Sequence, residues 1–155
     1  RIRLDLNALV LETLEFIALE ARFQGVTIRS TLAESLPQVV ADRIQLQQVL
    51  VNLMHNAIEA MGQAASPVRR LTIDTAWATE QRIQVTVQDT GPGLAPEIAE
   101  RLFQRFQTTK ISGIGLGLSI SHSIIEAHGG RLWVEPPSPG QGATFHFTLP
   151  LNGAE

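Results

Sequence analysis

The chain contains no cysteine, so it has neither a disulfide framework nor a thiolate metal site, and a reducing compartment suits it. No apolar run approaches the roughly 20 residues that a membrane-spanning helix needs, and no signal-peptide pattern opens the chain. Positive charge is not in excess: 12 Lys and Arg stand against 15 Asp and Glu, a net charge of −3. Without a basic face, nucleic acid is not an expected partner. No internal repeat is visible. An initiating Met is missing as well, since the chain opens Arg1-Ile2-Arg3-Leu4. The expectation is a piece of a longer protein, whose anchoring to a membrane stays open. What is present fits one folded domain: 155 residues, 44% hydrophobic and 17% charged, enough for a single core.

Periodicity divides the chain into alternating helices and strands. A first helix is expected over Asn7–Phe23, capped by Asp5 or Asn7 and stopped at Gly25. Val26–Leu32 and Val39–Ala41 read as strands before a long helical segment, Asp42–Met61. After a loop over Gly62–Val68, Arg70–Trp77 and Arg82–Asp89 read as a hairpin. Pro96 suits the first turn of a short helix ending near Phe106. An amphipathic helix over Ser119–His128, a strand at Arg131–Glu135 and a final strand at Ala143–Pro150 complete the order. The fold class expected is α+β, an α/β sandwich. Its mixed, mostly antiparallel sheet is covered on one face by three helices, two of which line a cleft.

The segment Asp42–Met61 carries the strongest functional signal. On a helical wheel, Leu46, Leu50, Leu53 and Ala57 form a core stripe. Gln48, Asn52, His55, Asn56 and Glu59 fall opposite. Asparagine is a mediocre helix former, and a merely solvated face, the alternative reading, is more cheaply made of Glu, Lys or Gln. Two Asn one turn apart therefore suggest neutral oxygen ligands aimed into a cleft. Mg²⁺ favours hard oxygen donors and shares its shell with waters and substrate phosphates. An amide oxygen adds no further negative charge beside a triphosphate. Asn56 is the expected metal ligand, with Asn52 holding phosphate or metal-bound water. Position 52 has no basicity to activate water, so the site is suited to holding ATP rather than hydrolysing it.

Two glycine-rich stretches lie downstream. Asp89-Thr90-Gly91-Pro92-Gly93 ends a strand, where the glycines allow a tight turn and close approach to the backbone. A carboxylate fixed there can accept a hydrogen bond from an exocyclic amine such as that of adenine; an ordinary turn is the alternative. Gly113-Ile114-Gly115-Leu116-Gly117-Leu118 runs into a helix, where backbone N–H groups form an anion site. It lacks the Lys-Ser/Thr ending of a P-loop and does not follow a strand as a Rossmann glycine motif does.

In the order Asn-x-x-x-Asn, Asp-x-Gly-x-Gly, Phe-x-x-Phe, Gly-x-Gly-x-Gly, the chain resembles the ATP-binding catalytic domain of sensor histidine kinases. That domain belongs to the superfamily shared with gyrase, Hsp90 and MutL. Asp42–Met61 looks like the N box, Asp89–Gly93 the G1 box, Leu102–Phe106 the F box and Gly113–Leu118 the G2 box. The wording of NAIEAM, TTK, GLGLSI and EAHGG is most similar to the nitrogen- and oxygen-sensing branch.

The resemblance implies an ATP-binding Bergerat-type fold over residues 7–150. Residues 1–6 would be the end of a dimerisation and phosphoacceptor hairpin or its linker, and 151–155 a tail. It implies ATP and Mg²⁺, with Asn56 on the metal and Asn52 near the phosphates. Asp89 would read the adenine amine, and Gly91 and Gly93 would shape the pocket floor. A short lid bearing Thr109 and Lys110 would close over the nucleotide. Gly113, Gly115, Leu116, Gly117 and Leu118 would surround the phosphates, and the Thr144 hydroxyl would assist adenine binding. Asn52 and Lys110 are the expected catalytic residues. Lys110 replaces the Lys that related kinases carry where Glu59 stands.

The implied reaction is transfer of the γ-phosphoryl group to a histidine on a separate hairpin. The implied partners are that hairpin and a response regulator receiver domain. The parent would be a homodimer, with this domain in the cytoplasm, and the resemblance allows a parent anchored in the inner membrane. The F box departs from pattern at Arg105, commonly Pro, and at Gln107, often aromatic. None of His55, His122, His128 and His146 has the His-Glu or His-Asp context of a phosphoacceptor. Three other readings stay open. One is an anti-sigma-type serine kinase and binding module, another a degenerate nucleotide-sensing interaction domain, and the third a gyrase- or Hsp90-like ATPase.

Overall fold

A computed structural model describes residues 1–79, 81–106, 116–138 and 140–151 of the chain. Eleven elements follow in the order β1 (Ile2–Leu4), α1 (Leu6–Phe23), β2 (Thr27–Leu32), β3 (Val39–Ala41), α2 (Arg43–Gln63), β4 (Arg70–Thr79), β5 (Arg82–Asp89), α3 (Pro96–Phe106), α4 (Leu116–Ala127), β6 (Arg131–Val134) and β7 (Thr144–Pro150). The main sheet has the strand order β2-β4-β5-β7-β6. Among the described residues, only β2 and β4 pair in parallel, joined through β3 and α2, because a parallel pair needs a long crossover. The other pairs are antiparallel. This is the mixed, mostly antiparallel sandwich expected.

Both long helices begin at an aspartate whose extended backbone and side chain satisfy a free amide. Asp5 accepts from the Ala8 N–H at 3.1 Å, and Asp42 from the Gln45 N–H at 2.9 Å. The helix α2 runs through the middle of the core. Leu46, Val49, Leu50, Leu53, Met54, Ala57, Ile58 and Met61 are all buried along it, packed between α1, α4 and the sheet. That burial on two sides explains why its sequence is apolar nearly all round. The sheet presents Leu71, Ile73, Ile83, Val85, Val87, Phe147 and Leu149 to this core. The opposite face is polar: His146 stacks on Trp133 at 5.1 Å between ring centres, and its Nδ1 lies 2.8 Å from the Thr86 hydroxyl.

Residues 1–6 do not continue as a helix. Ile2–Leu4 pairs antiparallel with Val39–Ala41 in a second, two-stranded sheet, and Leu4 is buried beneath it. Asp5 is then the cap of α1. Among the described residues, no helix is long and apolar enough to cross a membrane.

Polar contacts at two points fasten α4 to α2. At the C-terminal end of α4, buried His128 turns Nδ1 to the Ile124 carbonyl at 2.8 Å, while Nε2 accepts the Asp42 backbone N–H at 3.0 Å. At its N-terminal end, Asn52 Nδ2 donates to the Gly117 carbonyl and to Ser121 Oγ, each at 3.3 Å. The two helices that flank the cleft are thus held in register at both ends.

Candidate functional site

Between α2, α4 and the ends of β5 and β7 lies a cavity of about 300 Å³. Asn56 and Glu59 line it from α2, and Gly117 and Leu118 from α4. Asp89, Gly93 and Leu94 close it at the end of β5, with Ala143 and Phe145 of β7 beside them. Leu53, Ala57 and Val87 make an apolar floor. A mostly apolar slot with a few convergent polar groups is the usual form of a small-molecule site.

Asp89 is the polar centre of the apolar end, and only 6% exposed. Its Oδ1 accepts two backbone N–H groups, from Gly91 at 2.9 Å and Ala143 at 3.1 Å. Its own amide donates to the Ala143 carbonyl at 3.0 Å. Burial raises its pKa above the ordinary carboxylate value, and the two backbone hydrogen bonds partly oppose that shift. Since both hydrogen bonds fall on Oδ1, Oδ2 is the oxygen left to accept from a bound group. The glycines around it have steric reasons. Gly93 holds φ +74, where a Cβ would also meet the Gln141 carbonyl at 2.6 Å. Gly142 packs directly on the Asp89 carbonyl and carboxylate. Gly91 lies over Met61, whose Cγ would be 3.1 Å from an added Cβ.

The two asparagines divide their work. Asn56 is solvent-exposed and lines the cavity. Asn52 is half-buried and gives its amide N–H groups to α4. The Gly117 carbonyl can only accept, so it must face the NH₂ of Asn52, and the group Asn52 retains for the cleft is its oxygen. That chemistry suits metal-bound water rather than a phosphate oxygen. Next to Asn56, His55 Nε2 contacts Glu59 at 3.1 Å, and His55 Nδ1 contacts Glu20 of α1 at 2.7 and 2.8 Å.

Of the residues expected from sequence, Asn56, Asp89, Gly93, Gly117 and Leu118 meet around one cavity, with Gly91 and Asn52 bonded at its edges. Leu116 begins α4. Thr109, Lys110, Gly113 and Gly115 lie outside the described residues, as does Gln107. Thr144 does not join the group. It pairs with Gln88 on β5, while its neighbours Ala143 and Phe145 line the cavity. Successive side chains of a strand alternate between faces, so the Thr144 side chain lies on the far face of the sheet. The contact that sequence reasoning missed comes from the Ala143 amide and from Gly142. The signal available was a glycine immediately before the last strand.

An α/β sandwich with a buried aspartate at one end of its cleft and paired amides at the other defines a class of nucleotide-site domains. Residues 41–153 match the family described as histidine kinase-, DNA gyrase B-, and HSP90-like ATPase, and the chain belongs to that family. Within it, the chain is 53% identical over 130 residues to the sensor protein FixL of Bradyrhizobium diazoefficiens. The match covers 84% of this chain and 25% of FixL, so the chain spans about a quarter of that relative's length. The nucleotide-free catalytic domain of histidine kinase ThkA superposes with a TM-score of 0.78 at 32% identity, over 97% of this chain and 95% of that one. Full-length ShkA, solved in complex with AMPPNP, gives 0.80 at 31% identity, over 98% of this chain and 31% of ShkA. The fold is that of a histidine kinase catalytic domain.

Proposed function

We propose that this domain binds Mg-ATP in the cleft and delivers the γ-phosphoryl group to a histidine on a helical hairpin of the parent protein. The P–O bond to ADP breaks, a P–N bond to the imidazole forms, and a response regulator receiver domain takes the phosphoryl group next. The hairpin belongs to the same polypeptide or to its mate in a homodimer, and the domain works in the cytoplasm. The observation that carries this reading is Asp89, a buried carboxylate whose Oδ1 is saturated by backbone amides and whose second oxygen can accept the adenine amine.

The donor set at the other end of the cleft fits Mg²⁺. Asn56 offers an amide oxygen, and no group of three His, Cys, Asp or Glu side chains suited to a metal occurs among the described residues. Mg²⁺ keeps most of its waters and shares phosphate oxygens, so it needs one or two protein ligands rather than a cage. When bound, it neutralises charge on the β- and γ-phosphates. Asn56 would hold it, and the Asn52 oxygen would accept from one of its waters. Gly113, Gly115 and Gly117 would give or frame backbone contacts to phosphate, and Lys110 and Thr109 would close over it. Phosphoryl transfer depends mainly on position and charge. Because position 52 is an amide, nothing there activates water, and hydrolysis by the isolated chain should be slow.

Titration calorimetry with ATP and Mg²⁺ tests the binding step. The Asn56→Ala variant should lose the Mg-dependent part of its affinity, tenfold or more by order of magnitude. An unchanged dissociation constant would remove Asn56 from the metal. Radiolabelled ATP with the parent's hairpin should yield acid-labile phosphate on a hairpin histidine. Steady phosphate release by this chain alone would instead identify an ATPase.

A further inference from the structure

Glu59 is a carboxylate on the wall of the cleft, and nothing in the proposed chemistry has yet used it. It lies one turn beyond Asn56 on α2 and lines the same cavity. At about 100° per residue it falls between the directions of His55 and Asn56. Its carboxylate is held by His55 Nε2 at 3.1 Å, and His55 is held in turn by Glu20 of α1 through Nδ1. Glu20, His55 and Glu59 thus form a string from α1 to the cavity, with a negative group at its inner end. Such a group repels a free triphosphate and attracts a cation and its water shell. Held back toward α1 by His55, it would meet a bound cation through the waters of its shell and leave Asn56 as the direct ligand.

We propose that Glu59 makes nucleotide binding in this cleft depend on the divalent cation, and that His55 is the residue positioning it. The inference rests on the Mg-ATP reading of the cavity and adds a discriminating charge to it. Free ATP, with four negative charges, is disfavoured by Glu59. Mg-ATP carries two fewer and has waters for Glu59 to accept from. The two effects act in the same direction on the ratio of affinities with and without Mg²⁺.

The test measures ATP affinity of this chain by calorimetry, with excess Mg²⁺ and with EDTA, for the parent, Glu59→Gln, His55→Ala and the double variant. Gln keeps the shape of Glu at a half-exposed position, and melting curves establish that each variant folds. Glu59→Gln should tighten binding of metal-free ATP and lower the ratio of the two affinities by about fivefold, the size expected for one charge near the surface. His55→Ala should lower the ratio only while Glu59 is present. A residue that served packing alone would act equally in both backgrounds, and that result would overturn the positioning role. An unchanged ratio in Glu59→Gln, with Mg-ATP still bound by the parent, overturns the proposal and leaves the cleft's assignment standing. Absence of ATP binding by the parent at any Mg²⁺ level overturns both.

Discussion

Asp89 is held between two demands. Its burial disfavours charge, while an adenine amine needs a full acceptor. A carboxyl whose folded pKa exceeds its unfolded value takes up a proton on folding. Its contribution to stability therefore falls as pH rises from about the unfolded pKa through the raised one, and stays unfavourable above. Asp89 stands raised from 3.8. An Asn at this position can keep both backbone N–H bonds on its oxygen but turns an NH₂ toward the ligand. Asp89→Asn should melt at or above the parent temperature at pH 7, by up to about 4 °C, and the gap should close as pH falls toward 4. Its ATP affinity should drop about 10- to 100-fold, the loss of a charge-assisted hydrogen bond. Thermal melts across pH and calorimetry at pH 7 check the two halves, and a less stable variant that still binds would contradict both. Asp89 and Asn56 were legible from sequence because each has an unusual residue type at a regular place, a strand end and a polar strip of a helix. Thr144 was misplaced because strand alternation depends on register, and one residue of phase decides which face a hydroxyl occupies.

The pairing of α2 with α4 is the element-level device that shapes the cleft, and its polar fastenings were not legible from sequence. The sequence marks His128 only as lacking the context of a phosphoacceptor. Its partner, the Asp42 backbone N–H, lies 86 residues away in the chain, and no local pattern reports a contact at that separation. The helices themselves were plain, because their apolar spacing and their aspartate and glycine boundaries are local. Two of the differences from expectation have plain physical reasons. The helix α2 continues through Gly62 to Gln63, since a single glycine costs only about 1 kcal/mol in a helix. Strand β1 escaped notice because three residues carry no periodicity, and its partner is β3 rather than a sequence neighbour. His128→Ala should leave the half-buried Asp42 N–H without its acceptor, costing up to about 1–3 kcal/mol from that group before any cavity cost. The expected fall in melting temperature is about 2–12 °C. ATP affinity should weaken with it, because both walls of the cleft lose a shared anchor. A variant with parental melting and parental affinity would show that Asn52 alone sets the register of the two helices.

At the scale of the whole molecule, the site borrows one wall from each layer: paired amides from the central helix, a carboxylate from the sheet, Gly117 from α4. Nucleotide binding should therefore stabilise the entire domain rather than a loop, because a ligand that binds only the folded state adds RT ln(1 + [L]/Kd) to its stability. At a hundredfold excess over Kd that amounts to about 2.7 kcal/mol, or about 5–11 °C for a domain of this size. Mg-ATP should raise the melting temperature of the parent chain by that amount. The rise should shrink by about half or more for Asn56→Ala at the same nucleotide concentration. It should vanish for Gly142→Ala, whose methyl group would displace Asp89, the carboxylate proposed to read the base. The comparison separates the two ends of the cleft. Asn56→Ala removes the proposed cation ligand and leaves the proposed adenine end intact, so raising ATP concentration should restore its shift. Gly142→Ala damages the adenine end, so added Mg²⁺ cannot restore it. A melting temperature that ignores Mg-ATP in the parent chain, up to about 10 mM nucleotide, would mean that the cavity between α2 and α4 holds something other than a nucleotide.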